Sequence, residues 1–231
     1  MKKFYKEASA VKKDEVYCIT LDGKTIKTPA GNLLAIPSET LANKIVAEWD
    51  CVKEGEEIIP ESMGYMKMAS TAIDKVIPHT AEVCRNLMPF AMNDLLCYRS
   101  GDNLDLRTMQ DGAWDKWVAW AKKFADIDLI IGEGIIPIDQ SPSVKVSAIL
   151  KLQNYDGFKL TVMADLTSIY GSFVLALSAV EGKISMQDAY DISRVDELYQ
   201  IQKWGVDDEA QKSTQIIKDE LVVTSDFLKY I

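Results

Sequence analysis

Histidine is nearly absent: His79 is the only one among 231 residues. That excludes any metal or catalytic site built from two histidines, the helical His-Glu-x-x-His arrangement included. His79 stands between Pro78 and Thr80 at an expected helix entry, where a solvated or capping role suffices, and it is assigned no function. Arginine is scarce too. With only Arg85, Arg99, Arg107 and Arg194, the bidentate fork that reads phosphates and base edges is in short supply. Lys and Arg number 26 against 35 Asp and Glu, a net charge of -9, which is the wrong sign for a nucleic-acid or anionic-membrane partner. Cys18, Cys51, Cys84 and Cys97 show no Cys-x-x-Cys spacing and read as reduced, packed thiols suited to a cytoplasm or mitochondrial matrix. No apolar run of signal-peptide length follows Lys2 and Lys3. The longest apolar stretch, Ser172 to Val180, falls short of the ~18 residues a membrane span needs, so no membrane insertion is expected.

The signatures of common chemistries are also missing. Gly132 and Gly134 open a dinucleotide fingerprint that no third glycine completes. There is no phosphate loop and no Gly-x-Ser-x-Gly elbow around Ser172. Asp126 and Asp128 begin a calcium loop, but Ile130 occupies the third ligand position. No cofactor and no metal are expected.

What is present is a foldable chain, 48 % hydrophobic, long enough for one large or two modest domains. Val16 to Leu21 and Lys24 to Thr28 flank Asp22-Gly23, a strong hairpin signal. Leu33 to Ile36 follow a second turn, so the first forty residues read as a three-stranded meander. Ser38 caps a helix with Leu41, Ile45 and Trp49 at i, i+4 and i+8. A further helical stretch runs from Met63 to Val76 and ends at Pro78, and Thr80 caps the next, in which Pro89 marks a kink or a break. Leu104 to Phe124 is helical, with Trp114, Trp117, Val118, Ala121 and Phe124 on one stripe. Ser143 to Tyr155 and a long buried helix from Phe158 to Val180 follow, the latter with Gly171 and Ser172 permitting close helix contact. Ser185 caps a helix to about Trp204, and Asp207 caps the last. The expected class is α+β: a small amino-terminal domain, residues 1–78, of β-meander plus helix, then a larger all-helical domain, residues 79–231.

Two groups of carboxylates could do acid–base work. Asp207, Asp208 and Glu209 sit at a helix amino terminus, where negative charge is favourable for structural reasons alone. Asp196 and Glu197 fall in mid-helix beside Tyr199, Gln200 and Trp204, a mixed polar and aromatic surface of the kind found at interfaces. Trp114, Trp117 and Trp120 drift around their helix, so at least one lies near the surface while core packing holds the others. Met63, Met66 and Met68 read as core or as an adaptable groove.

Several separate segments, in order, resemble one family: the ATP synthase F-one assembly factors that chaperone the alpha subunit, the ATP-twelve family. They are Phe4, Tyr5, Lys6, Ala8 and Val11; Leu21 to Lys24 with Lys27, Thr28 and Pro29; Leu41, Ala42 and Ala47 to Asp50; Thr71 to Asp74; Asp94 to Arg99; Gln110, Trp114, Asp115 and Trp120; and finally Asp196, Glu197, Gln200, Trp204, Gly205, Asp207, Glu209 and Ala210. Gly64 stands where the family usually has proline, and Tyr199 where tryptophan is common. The resemblance implies a non-enzymatic chaperone, monomeric and transiently bound to the unassembled alpha subunit of the catalytic head, shielding its beta-facing surface until beta displaces it. It further implies that Glu197, Gln200, Trp204, Asp207 and Glu209 contact that client. Trp49, with Asp22, Gly23 and Trp114, is expected to be structural. The chain begins within three residues of the family's first motif, as a cytoplasmic bacterial member or a mature chain of the mitochondrial matrix would. The alternatives are a general holdase, or an enzyme using Asp196/Glu197 or Asp207/Asp208/Glu209.

Overall fold

A computed structural model of the chain describes residues 2–205 and 208–231. Strands β1 (Ala8–Lys13) and β2 (Val16–Leu21) pair antiparallel along their full length, from Ala8 opposite Leu21 to Lys13 opposite Val16. The expected meander of β2, the short β3 (Lys24–Thr25) and the short β4 (Ala35–Ile36) is present and is extended by β1: β2 lies in the middle, β1 pairs on one edge, and β3 and β4 both pair on the other. The segment forming β1, with Ala8, Ser9 and Ala10, is weakly β-prone and is made a strand by its partner rather than by its own composition.

Between β2 and β3 the hairpin turns on Asp22 (φ 47°) and Gly23 (φ 76°). Both central residues are left-handed, as a two-residue turn matching the strand twist requires. The Asp22 carboxylate accepts the N–H groups of Lys6 and Glu7, each at 3.0 Å, and these bonds, Glu7's foremost, hold its pKa below the usual carboxylate value.

Helix α1 (Glu39–Asp50) begins at Ser38, whose hydroxyl accepts the Leu41 N–H, and buries Leu41, Ala42, Ile45 and Trp49. It packs on β1 and β2. Trp49 meets the Tyr5 ring edge-on at 5.5 Å between centroids, and its carbonyl accepts the Tyr5 hydroxyl. From the same helix, Glu48 reaches out to cap α2 (Gly64–Thr71), accepting the N–H groups of Tyr65 and Met66 at 2.8 and 2.9 Å. Burial raises the Glu48 pKa against the pull of those two bonds.

Helical geometry continues past the expected stop at Pro78. A π turn (Ala72–Val76) and a 3-10 turn (Ile77–His79) join α2 to α3 (Thr80–Met92). Thr80 does not cap α3; its hydroxyl donates backwards to the carbonyls of Val76 and Ile77. Pro89 lies inside α3 without ending it.

Among the described residues, the remaining regular structure is helical apart from a two-residue parallel ladder between β5 (Tyr98–Arg99) and β6 (Gly132–Glu133). The helices are α4 (Leu104–Ala125), α5 (Pro142–Leu152), α6 (Gly157–Tyr170), α7 (Phe173–Val180), α8 (Met186–Ser193), α9 (Val195–Trp204) and α10 (Asp208–Tyr230). Two expected helices are each divided. Gly171 (φ 63°) and the cap Ser172 separate α6 from α7, so the small pair breaks the helix instead of easing a close contact. All eight residues of α7 are buried, the pattern of a helix enclosed on every side. Near Arg194 the chain leaves α8 and restarts as α9, which moves Asp196 and Glu197 from mid-helix to a first turn.

Packing groups these residues into two compact units, Met1–Thr80 with Asp156–Thr161 and Val222–Ile231, and Ala81–Tyr155 with Val162–Leu221. In the first, the end of α10 joins α1 and α2: Lys44 lies over the rings of Tyr65 and Tyr230, and Phe227 stacks on Phe158. In the second, α7 packs between α4 and α8.

Asp94 organises the second unit's core. Its carboxylate, fully buried, accepts the Leu96 N–H at 3.0 Å, the Ser172 hydroxyl at 2.8 Å and the Val174 N–H at 2.9 Å, so one side chain caps both the turn Leu95–Cys97 and α7. Burial pushes its pKa up to about 6 in spite of these donors.

Candidate partner-binding face

Helix α9 is held to its unit by polar contacts more than by apolar burial, since Val195 is its only buried residue. The contacts come from one face of α4, where Asn103, Gln110 and Trp114 recur at i, i+7 and i+11, close to whole turns. Asn103 caps α4, and its amide donates to the Tyr199 hydroxyl at 2.7 Å. Gln110, 3 % exposed, uses both ends: its oxygen accepts the Ser100 N–H at 2.7 Å and its amide donates to Asp196 at 2.8 Å. The Trp114 indole donates to the Ile192 carbonyl at 2.8 Å, at the end of α8. Beneath Trp114, the buried Arg99 guanidinium lies 4.8 Å from the ring centroid and pairs with Asp111 and Asp115 at 3.1 and 2.9 Å.

With Val195, Asp196, Tyr199 and Lys203 turned towards α4, the helical period leaves Glu197, Leu198, Ile201 and Trp204 on the outer side, with Gln200 at its margin. Trp204 is 79 % exposed, and Leu198 and Ile201 are exposed beside it. Glu197 forms an ion pair with Arg194 at 3.0 Å, both ends partly solvated, a contact of little stabilising value. Apolar residues in a row, rimmed by a carboxylate and an amide, have the composition of a docking surface.

Among the sequence-derived candidates, Glu197, Gln200 and Trp204 therefore share one face. Glu209 lies in the exposed first turn of α10, and Asp207 falls outside the described residues. Trp114 and Trp49 are buried, and Asp22 and Gly23 form the hairpin. Trp120 is the half-exposed member of its trio, stacked on Phe124 at 4.6 Å. Of the methionines, Met63 is buried while Met66 and Met68 are half-buried. Sequence reasoning passed over Leu198 and Ile201, although their spacing of three before Trp204 signals a second apolar stripe. It matched Gln110 to the family pattern but gave it no role, although a polar residue on the buried stripe of Trp114, Trp117 and Ala121 is a signal of its own.

A cavity of about 270 Å³ lies in the first unit, lined by Glu48, Cys51, Ile59 and Met63 among others, and Asp196, Glu197 and Glu209 are not part of it. Among the described residues no group of three or more His, Cys, Asp or Glu is placed to hold a metal ion. No helix among them is long and apolar enough to cross a membrane.

Residues 2–122 match the family described as ATP12 chaperone protein. The chain belongs to that family. Solved structures agree with it over nearly its full length: Atp12 from Paracoccus denitrificans is 31 % identical, with a TM-score of 0.89 over 99 % of this chain and 96 % of that one. The Atu1473 protein of Agrobacterium tumefaciens is 32 % identical, with a TM-score of 0.92 over 99 % of this chain and 85 % of its own. The mitochondrial protein atp12 of Schizosaccharomyces pombe is 20 % identical over 95 % of this chain and 79 % of its length. ATP12-family proteins are thus found in bacteria and in mitochondria, and the family's role is that of a chaperone.

Proposed function

We propose that this chain is an ATP synthase assembly chaperone that holds the unassembled alpha subunit of the catalytic head, covering its beta-facing surface until beta displaces it. A subunit awaiting assembly exposes apolar area that it later buries, and such area aggregates. The observation that carries the reading is the outer side of α9, where Trp204, 79 % exposed, stands with Ile201, Leu198 and Glu197. Tryptophan is the residue type most enriched among binding hot spots. A single-helix stripe with a polar margin supports an interface strong enough to hold a client and weak enough to release it. The net charge of -9 favours a client surface carrying basic groups, with Glu197 and Glu209 facing them.

Binding of purified, unassembled alpha subunit to wild type, Trp204→Ala, Glu197→Lys and Glu209→Lys tests this. Loss of a central tryptophan contact of about 2 kcal/mol or more corresponds to roughly thirtyfold weaker capture, with an unchanged melting temperature because the ring is solvated. Full capture by all three folded variants refutes the assignment of the face.

A further inference from the structure

We infer that Gln110 and Asn103 of α4 are positioning residues that fix the orientation of α9, and with it the face that presents Trp204; this rests on the docking reading above. With Val195 its only buried residue, α9 has little apolar anchorage. Its first turn is fixed through Asp196 to Gln110, its middle through Tyr199 to Asn103, and in its last turn Lys203 makes a long 3.9 Å approach to Asp105. Hydrogen bonds are directional where apolar contacts are not, so this ladder sets the rotation of α9 about its own axis. A rotation of one residue, 100° on a helix, would carry the Trp204 side away from its outward setting. Gln110 is the critical member because its oxygen is committed to the Ser100 N–H, so its amide nitrogen must face Asp196 and the amide cannot flip without losing both bonds.

The test exchanges donor and acceptor. Gln110→Glu keeps an oxygen for Ser100 but sets a second carboxylate against Asp196. Combining it with Asp196→Asn restores the bond in reverse, the introduced amide donating to the introduced carboxylate. Amide hydrogen exchange along 195–204 is measured without client, and alpha-subunit capture is measured beside it. Expected for Gln110→Glu alone is exchange in α9 accelerated about tenfold and capture weakened to match, the scale of one hydrogen bond to a carboxylate; the double variant returns both towards wild type. Tyr199→Phe, which removes only a hydroxyl, gives a smaller acceleration and serves if Gln110→Glu fails to fold. Unchanged exchange in both Gln110→Glu and Tyr199→Phe overturns the inference. So does a double variant whose exchange recovers while capture does not, because Asp196 would then act on the client by its charge. Since exchange needs no client, normal capture by Trp204→Ala would count against the docking face alone, and normal exchange in both Gln110→Glu and Tyr199→Phe against the ladder alone.

Discussion

Removing the Asp94 carboxylate tests how the second unit's core is organised. In Asp94→Ala the N–H groups of Leu96 and Val174 and the Ser172 hydroxyl, within 2.8 to 3.0 Å of the carboxylate, lose a buried acceptor. At about 2 kcal/mol per stranded donor the gross cost is about 6 kcal/mol. An offset comes from the charge itself. The Asp94 pKa stands at about 6 against an ordinary 3.8, so keeping the group ionised at neutral pH costs about 3 kcal/mol, at 1.36 kcal/mol per unit. The variant is relieved of that cost, leaving a net loss of about 3 kcal/mol at pH 7. The pH dependence has a definite sign. A folded-state pKa above the unfolded one makes the folded form bind the extra proton, so Asp94 contributes stability that is full below about 3.8 and lost as pH rises through 6. Between pH 7 and pH 5 the wild type therefore gains about 1 kcal/mol that the alanine variant does not, and the difference between them widens to about 4 kcal/mol. Paired denaturant titrations at pH 7 and pH 5 measure it, interpreted where both proteins share a slope. A difference under 1 kcal/mol at pH 7, or one that narrows on acidification, refutes the role given to Asp94.

Three further outcomes are expected. Trp49→Ala costs about 3 to 5 kcal/mol, as large aromatic truncations in cores do, whereas Trp49→Phe costs less, because the indole N–H finds no hydrogen-bond partner among the described residues; a thermal melt unchanged by the alanine variant contradicts this. Gly171→Ala lowers stability by about 1 to 2 kcal/mol, since φ is 63° there, seen as a melt lower by several degrees. Asp22→Ala removes the acceptor of two backbone N–H groups at the hairpin and lowers the melting temperature at pH 7; the Asp22 pKa is held below 3.8, so its contribution is present above that value and fades on acidification, and the gap between the two melts should narrow as pH falls below 3.8.

The hairpin at Asp22-Gly23, the helix begun by Ser38 and the stripe of Trp114, Trp117 and Ala121 were all legible because each is a local pattern. What escaped was set by contacts distant in sequence. Ala8 to Lys13 is a strand because β2 pairs with it. The break at Gly171-Ser172 is fixed by Asp94, 78 residues away from Ser172, while the local sequence reads as one continuous apolar helix. Likewise the division near Arg194 follows from α4 seizing the Ile192 carbonyl and Asp196. The face on α9 was half visible. Glu197, Gln200 and Trp204 came from family resemblance, and Leu198 and Ile201 completed the row once the helix was known to start at Val195.

Selectivity for one client is the claim on which the functional account depends. Co-expression of this chain with the alpha subunit alone, and with the beta subunit alone, from the same source, followed by measurement of soluble and co-purifying client, tests it directly. The expected result is rescue and capture of alpha with beta left insoluble and unbound. Equal rescue of both would establish a general holdase instead, and rescue of neither would remove the alpha subunit as the client.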